Sequence, residues 1–266
     1  LVHQDGRLEG SISGGCVETD VLQRAAEVIA GRPAHVHSYG VADGDAWDVG
    51  LPCGGEIAVL VQPVTDWGFA PHLFDRIAAA SEEGRALTLA TDLATGRTQE
   101  GGVEGGFLNR YDPPRQLLIV GAVQIAQSLV PLAQAIDVRP VVIDPRGRFL
   151  TEERFPGVEL DDRWPDEAIA ARHPGESTAI VTLSHDIKID DPALIAALNA
   201  PTGYIAALGS RRSHAARIDR LTAAGFDADA LARIDGPAGL DIGAIGPAEI
   251  ALSITAGMVA GFNARG

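Results

Sequence analysis

The sequence predicts an α/β protein in two parts: a doubly wound parallel sheet in residues 113–266 and a smaller, mixed α/β unit in residues 1–112. Three observations carry this. The first is a β-branched apolar run, Gln116-Leu117-Leu118-Ile119-Val120, ending on Gly121; a helical pattern follows over 122–136, then a second apolar run at 140–143 closed by Asp144. That is the strand, helix, strand layout of a Rossmann-like dinucleotide-binding unit. The second is rhythm: continuous apolar runs alternate with helical segments to the end of the chain, as in a parallel sheet buried on both faces. The third is a break. Residues 101–106 hold four glycines, and Arg110-Tyr111-Asp112-Pro113-Pro114-Arg115 reads as a stiff polar connector, so the boundary falls at 112/113.

In the first part, residues 8–13 read as a strand, and 17–30 as a helix from the spacing of Val17, Val21, Leu22, Ala25, Val28 and Ile29. Strands are expected at 35–39, 57–64 and 86–91, with an amphipathic helix over 66–80 capped by Asp66. In the second part, strands are expected at 116–120, 140–143, 178–183 and 204–208. Helices are expected at 122–136, 165–172, 192–200, 212–224 and 247–264. The last helix begins Gly246-Pro247, with proline at its first position. Its Ala, Gly and Ile content implies close packing, on its own sheet or, alternatively, in a homodimer contact.

Composition bounds the function. The 266 residues are 46% hydrophobic and 21% charged, enough for sizeable cores. The net charge of −15 opposes sequence-independent nucleic-acid binding. No apolar run approaches the ~20 residues of a membrane span. Only two cysteines occur in this length, which fits a reducing, cytoplasmic setting. The chain opens at Leu1 within strand-like sequence, so a missing N-terminal segment is expected.

Ligands of doubly wound sheets sit beyond the carboxyl ends of the strands. Here those ends supply Gly121, Ala122 and Gln124 after the first strand, and Asp144, Arg146 and Arg148 after the second. Ser184, His185 and Asp186 follow the third; Gly209, Ser210, Arg211 and Arg212 follow the fourth and open a helix. Asp144 stands 144 − 121 = 23 positions after Gly121, the spacing of a ribose-binding acid, while Arg146 or Arg148 could hold a phosphate on that ribose. Arg211 and Arg212 with the helix N–H groups suit an anion. Val123 replaces the glycine that lets a pyrophosphate approach the turn, which argues against an ordinary dinucleotide enzyme. Plainer readings stand beside these: Asp144-Pro145 as a turn, Arg211 and Arg212 as solvated charges, His185 as a loop histidine rather than a general base held by Asp186.

Both cysteines lie beside paired glycines, in Gly14-Gly15-Cys16-Val17-Glu18 and Leu51-Pro52-Cys53-Gly54-Gly55. Cys16 at a helix start favours a thiolate, a reactive sulfur or a soft-metal ligand; two small buried residues is the alternative. A four-cysteine zinc site is excluded by the count, and His35 with His37 lacks a third ligand.

The segment Gly10-Ser11-Ile12-Ser13-Gly14-Gly15-Cys16-Val17-Glu18 and the Cys53 loop resemble the two cysteine motifs of the XdhC/CoxI proteins, accessory factors of xanthine dehydrogenase and related molybdenum hydroxylases. The resemblance continues through Gly121-Ala122-Val123-Gln124, Ile143-Asp144-Pro145-Arg146 and Leu183-Ser184-His185-Asp186. It extends to Ile189-Asp190-Asp191-Pro192, Gly209-Ser210-Arg211-Arg212-Ser213-His214 and Gly239-Leu240-Asp241-Ile242-Gly243. CoxI-type members also carry Val at the position of Val123, whereas Gln124 stands where His is frequent.

The resemblance implies a cofactor-insertion chaperone rather than an enzyme. Such a protein binds molybdenum cofactor, as molybdopterin or its dinucleotide form, and protects it while a cysteine desulfurase (sulfurase) supplies the terminal sulfur. It then delivers the cofactor to an apo molybdenum hydroxylase of xanthine dehydrogenase or CO dehydrogenase type. Cys16 and Cys53 would contact molybdenum or its sulfur, and the strand-end residues the anionic remainder. An NAD(P)-dependent oxidoreductase is the runner-up, and a protein-binding scaffold with a vestigial nucleotide fold comes third.

Overall fold

A computed structural model describes residues 1–15, 17–40 and 56–264. The chain divides into two compact units, Leu1–Asp112 and Pro113–Gly266.

In the first unit, helix α1 (Glu18–Ile29) covers an antiparallel pair, β1 (His35–Tyr39) and β2 (Ile57–Val61), in which His35 faces Val61 and Tyr39 faces Ile57. Its stripe of Val21, Ala25 and Val28 meets Tyr39, Val59 and Val61, as the helical spacing requires. Helix α2 (His72–Glu82) packs Leu73 and Ala80 on Leu87 and Leu89 of β3 (Leu87–Thr91). That strand is central in an antiparallel sheet of order β4-β3-β5, with β4 at Thr98–Glu100 and β5 at Phe107–Tyr111.

Three expectations for this unit are corrected. Residues 8–13 form no strand; an isolated bridge joins Val2 to Leu8, and Gly10, Gly14 and Gly15 at positive φ turn the chain away from an extended path. The helix expected from Asp66 starts at His72, because residues 63–71 close a turn in which Phe69 N–H donates to the Pro63 carbonyl. Pro71, not Asp66, is the N-cap. Strand β5 takes residues that read as loop and connector.

The second unit is a six-stranded parallel sheet of order β11-β10-β9-β6-β7-β8. Its strands are β6 (Gln116–Val120), β7 (Arg139–Ile143), β8 (Glu159–Asp161), β9 (Thr178–Thr182), β10 (Tyr204–Ala207) and β11 (Ile234–Asp235). Successive residues of β6 go to opposite faces. Leu117 and Ile119 meet α3 (Gln124–Ala135) and α8 (Pro247–Asn263) through Ala126, Leu129, Ile254 and Met258. Leu118 and Val120 meet Ile169 of α4 (Pro165–Ala170) and Ile189, Ala193 and Leu194 of α5 (Ile187–Leu198). Burying each such Leu or Ile contributes roughly 1.5–3 kcal/mol, so this two-sided core fixes the register.

Helix α8 packs on its own sheet. A Cβ on Gly257 would stand 2.8 Å from the Tyr204 hydroxyl and one on Gly261 2.7 Å from the Tyr204 ring, which accounts for its small residues. Helix α5 starts five positions before the expected Pro192, because the Asp186 side chain accepts from the Lys188 N–H and caps it. Helices α6 (Arg211–Ala223) and α7 (Ala228–Leu231) complete the unit. Among the described residues no helix is long and apolar enough to cross a membrane.

Candidate functional site

The sheet order reverses at β6: the chain leaves it toward β7 and β8, and returns on its other side to β9, β10 and β11. A crevice opens above such a switch point. Gly121 at its floor has φ +110°, and a Cβ there would lie 2.8 Å from the Ser184 backbone nitrogen. Glycine is therefore required by the approach of the β9–α5 loop as well as by the turn. Val123 is the N-cap of α3 in extended backbone, and its half-buried side chain packs against the core. Gln124 begins α3 and is exposed.

Asp144, at the tip of β7, is fully buried. Its Oδ2 accepts from the Ala122 N–H at 2.8 Å and Arg146 Nη2 at 2.8 Å; its Oδ1 accepts from Arg146 N and Nε, both at 2.9 Å. Burial opposes ionisation, but the Arg146 and Ala122 donors outweigh it and hold the carboxyl below its usual range. The ribose contact expected of Asp144 is not on offer in this arrangement, since both oxygens are occupied. The guanidiniums of Arg146 and Arg148 each lie 4.9 Å from the Phe149 ring centre, and Arg148 has no carboxylate partner among the described residues.

Beyond β9, His185 sits at φ 60°, a left-handed conformation uncommon for a residue with a side chain, and is exposed. Ser184 Oγ donates to Asp190 Oδ1 at 2.6 Å. Asp190 is 4% exposed, and its carboxyl is raised above the usual range by burial. Beyond β10, Ser210 and Ser213 form a reciprocal capping box at the start of α6, and Gly209 has no room for a Cβ, which would meet Ser213 Oγ at 2.4 Å. Arg211 and Arg212 occupy the first turn, exposed and without an acidic partner among the described residues. One turn further, Arg217 is 5% exposed; its Nη2 donates to the Leu208 carbonyl at 2.9 Å, and its Nε has no partner.

These tips converge electrostatically. Arg146 is raised first by Asp144 and further by Asp186 and Asp190, while Arg217 and His185 act on Asp190. The loops after β7 and β9 and helix α6 are therefore within electrostatic reach of one another at this edge of the sheet. Sequence reasoning missed Asp190 and Arg217. Both were detectable as charges on apolar stripes, Asp190 with Ala193 and Ala197, Arg217 with Leu221. Cys16 and Cys53 lie outside the described residues. Among those described, no group of three or more His, Cys, Asp or Glu is placed to hold a metal ion. A separate cavity of about 350 Å³, lined by Gln134, Asp137, Arg139 and Gly157, lies at the opposite end of β7.

Fold and crevice define a Rossmann-type α/β protein whose strand tips present cations without the glycine pattern of a dinucleotide enzyme. The XdhC Rossmann domain matches residues 117–258, and a model of the XdhC and CoxI family matches residues 1–40. The chain belongs to the XdhC and CoxI family. It is 30% identical over 263 residues to the molybdenum cofactor insertion chaperone PaoD of Escherichia coli, covering 96% of this chain and 75% of PaoD. It is 25% identical over 292 residues to a Bacillus subtilis protein described as a probable xanthine dehydrogenase subunit, covering 97% of this chain and 86% of that protein. A crystal structure described as a xanthine dehydrogenase from Bacillus halodurans superposes with a TM-score of 0.76 at 26% identity, covering 100% of this chain and 86% of that one.

Proposed function

We propose that the protein is a molybdenum-cofactor chaperone that holds the cofactor during maturation and delivers it to an apo molybdenum hydroxylase. The observation that carries this reading is the start of α6. Arg211 and Arg212 stand there with no acid in the first turn, in a chain of net charge −15. Cations at the positive end of a helix dipole are unfavourable by themselves, and an anionic guest relieves them. Kinship with PaoD, named for cofactor insertion, supports the same reading.

The residues fit a phosphate-bearing pterin, alone or joined to a nucleotide. Arg211, Arg212, Gly209 and Ser210 would hold its phosphates, with the unpartnered Nε of Arg217 behind them. Gly121, Ala122, Gln124, Arg146 and His185 would line the remainder. Asp144 would act through Arg146, whose fork it fixes. Cys16 and Cys53 would supply soft sulfur ligands to molybdenum or its terminal sulfur. When bound, the cofactor brings the oxygen- and hydride-transfer chemistry of the hydroxylase it is destined for; this chain's part is to bind, orient and shield. A cysteine desulfurase and the apo hydroxylase are the partners this reading requires, in the cytoplasm. The runner-up, an NAD(P)-dependent oxidoreductase, is disfavoured because Asp144 has no free oxygen for a ribose diol.

Anaerobic titration with molybdenum cofactor tests the proposal. Binding should be saturable, weakened in Arg211→Gln/Arg212→Gln and lost in Cys16→Ala/Cys53→Ala. Equal affinity in all three proteins would remove the role.

A further inference from the structure

Among the described residues of the second unit the buried acids are Asp144, Asp161 and Asp190. Asp144 and Asp161 engage both oxygens, each on an arginine two positions on. Asp190 differs. Ser184 donates twice to its Oδ1, from Oγ at 2.6 Å and from N at 3.3 Å. Its Oδ2 accepts from no donor among the described residues, and it is not one of the unpartnered polar atoms closed off from solvent.

The place of this oxygen matters. Ser184 follows the tip of β9, and its nitrogen is 2.8 Å from where a Cβ on Gly121 would stand, so Asp190 lies one residue behind the floor of the switch point. Two buried groups at the same edge of the sheet also have no partner, Thr182 Oγ1 and Arg217 Nε. They are neighbours, because Leu208 gives its N–H to the Thr182 carbonyl and takes Arg217 Nη2 at its own carbonyl. Buried polar groups are nearly always paired in native proteins, so a cluster with spare capacity marks a place for a polar guest. Burial pushes the Asp190 carboxyl up, while the Ser184 hydrogen bonds and the charges of Arg217 and His185 favour its ionised form. A buried carboxylate without an arginine in contact destabilises a fold, which points to a partner supplied by the ligand.

A carboxylate has about four lone-pair sites. Ser184 uses those of Oδ1 and leaves the pair on Oδ2, which repels a phosphate and accepts N–H groups. A 2-amino-4-oxopyrimidine edge, the outer edge of a pterin, presents two such groups side by side, the ring N–H and the exocyclic amine. We propose that Asp190 recognises this amino-oxo edge of the pterin through Oδ2. The inference rests on the cofactor reading and orients the guest within it. The acid takes the ring edge, and the arginines at the start of α6 take the phosphate at the other end.

The test uses free pteridines with the full chain, so neither molybdenum nor phosphate enters the comparison. Pterin carries the 2-amino group; lumazine, the 2,4-dioxo ring, puts an oxygen in its place. In ligand-observed NMR titrations of wild type, pterin should bind about tenfold or more tighter than lumazine, because a site built to accept N–H groups rejects a ring that offers oxygen. Guanosine, with the same edge on a purine, should bind more weakly than pterin. Asp190→Asn keeps an oxygen for Ser184 and turns an NH2 toward the ligand's own donors, so the pterin-to-lumazine preference should fall to about threefold or less. Ser184→Ala removes the 2.6 Å hydroxyl contact that orients the carboxylate. It should lower the preference in the same direction, and it serves if Asp190→Asn does not fold.

Equal affinity for the two rings in wild type, as expected if solvent is the only partner of Oδ2, overturns the inference. So does an unchanged preference in folded Asp190→Asn, or in Ser184→Ala where that variant stands in for it. Tighter binding of guanosine than of pterin overturns the pterin assignment in favour of a purine. Titration with molybdenum cofactor separates this inference from the reading beneath it. If wild type binds the cofactor saturably but shows no preference for pterin, the edge assignment alone falls. If neither the cofactor nor pterin binds, the chaperone reading falls and the assignment falls with it.

Discussion

Asp144→Ala should loosen the nucleotide-type crevice measurably and in a pH-dependent way. The substitution leaves the N–H of Ala122, a residue 2% exposed, without an acceptor. An orphaned buried donor costs about 1–3 kcal/mol. It also frees the Arg146 guanidinium, whose side chain is 33% exposed and can turn to water. Breaking a buried ion pair costs about 3–5 kcal/mol, but solvent access to the arginine discounts that heavily, and about 3 kcal/mol in total is a fair expectation. That corresponds to about two decades in local opening. Hydrogen exchange of a peptide spanning residues 116–130 reads the opening directly, and urea unfolding followed through residues 113–266 reads the total.

The pH signature adds a second check. Asp144 is held below its ordinary value in the folded state, so its stabilisation is present above the unfolded carboxylate range and fades as pH falls through the folded value. The gap between wild type and variant should therefore be full at pH 7 and narrow in acid below about pH 4, as the share due to the ionised carboxylate is lost. A gap under about 1 kcal/mol at pH 7, or one that does not narrow in acid, would show that the four hydrogen bonds do not clamp the strand tip.

The other predictions concern the same crevice. Arg211→Gln/Arg212→Gln should raise thermal stability, by about 0.5 kcal/mol per residue removed from the helix dipole, while weakening anionic ligands; calorimetry and titration on one sample would show whether the two move oppositely. Asp190→Asn keeps an oxygen for Ser184 and removes a buried charge. Burial raises the Asp190 carboxyl, so its ionised form destabilises the fold at neutral pH and the penalty is relieved as pH falls. The Asn variant should therefore unfold at higher temperature at pH 7, and a lower temperature would refute this. Gly121→Ala combines positive φ with a 2.8 Å approach to the Ser184 nitrogen and should lose about 2–4 kcal/mol in urea unfolding.

Much of the second unit was legible because a parallel strand covered on both faces leaves a continuous apolar run, and β6, β7, β9 and β10 are such runs. The first unit was harder. In β5 every residue but Tyr111 is exposed, so Phe107 and Leu108 give no alternation against the neighbouring glycines. Asp66 looked like a cap, but a proline at 71 and a turn closing on Pro63 postponed the helix to His72. In the crevice, strand tips were readable from position alone, whereas the occupancy of Asp144 depends on which N–H its second oxygen meets, a tertiary fact. Glu18 stood in the cysteine motif, yet nothing in residue type distinguishes an acid that caps forward from one that, as here, accepts from Ser11, Ser13 and Gly15 behind it.

That occupancy also decides what Asp144 is for. Asp-x-Arg occurs at three turns with the same donors: in Asp5-Gly6-Arg7, Asp144-Pro145-Arg146 and Asp161-Asp162-Arg163, the carboxylate accepts from the N–H and from Nε of the arginine two positions on, through both oxygens at Asp5 and through Oδ1 alone at Asp144 and Asp161. At β7 and β8 the Arg Nη2 adds a third bond, at 2.8 Å and 2.7 Å. A motif repeated at a sheet edge and in an exposed turn is a means of ending an extended segment, and needs no ligand to explain it. Asp161 takes a further donor from the side chain of Arg172, whereas at β7 the further donor is main chain, the Ala122 N–H of the neighbouring turn, which ties the first βα connection to the second strand. The clamp therefore makes the crevice floor rigid and takes the acid out of recognition. On the proposed reading, recognition then falls chiefly to cations that retain unused donors, Arg148, Arg211, Arg212 and the Nε of Arg217. On that reading a guest that satisfies such a set carries negative charge and need not carry a ribose diol.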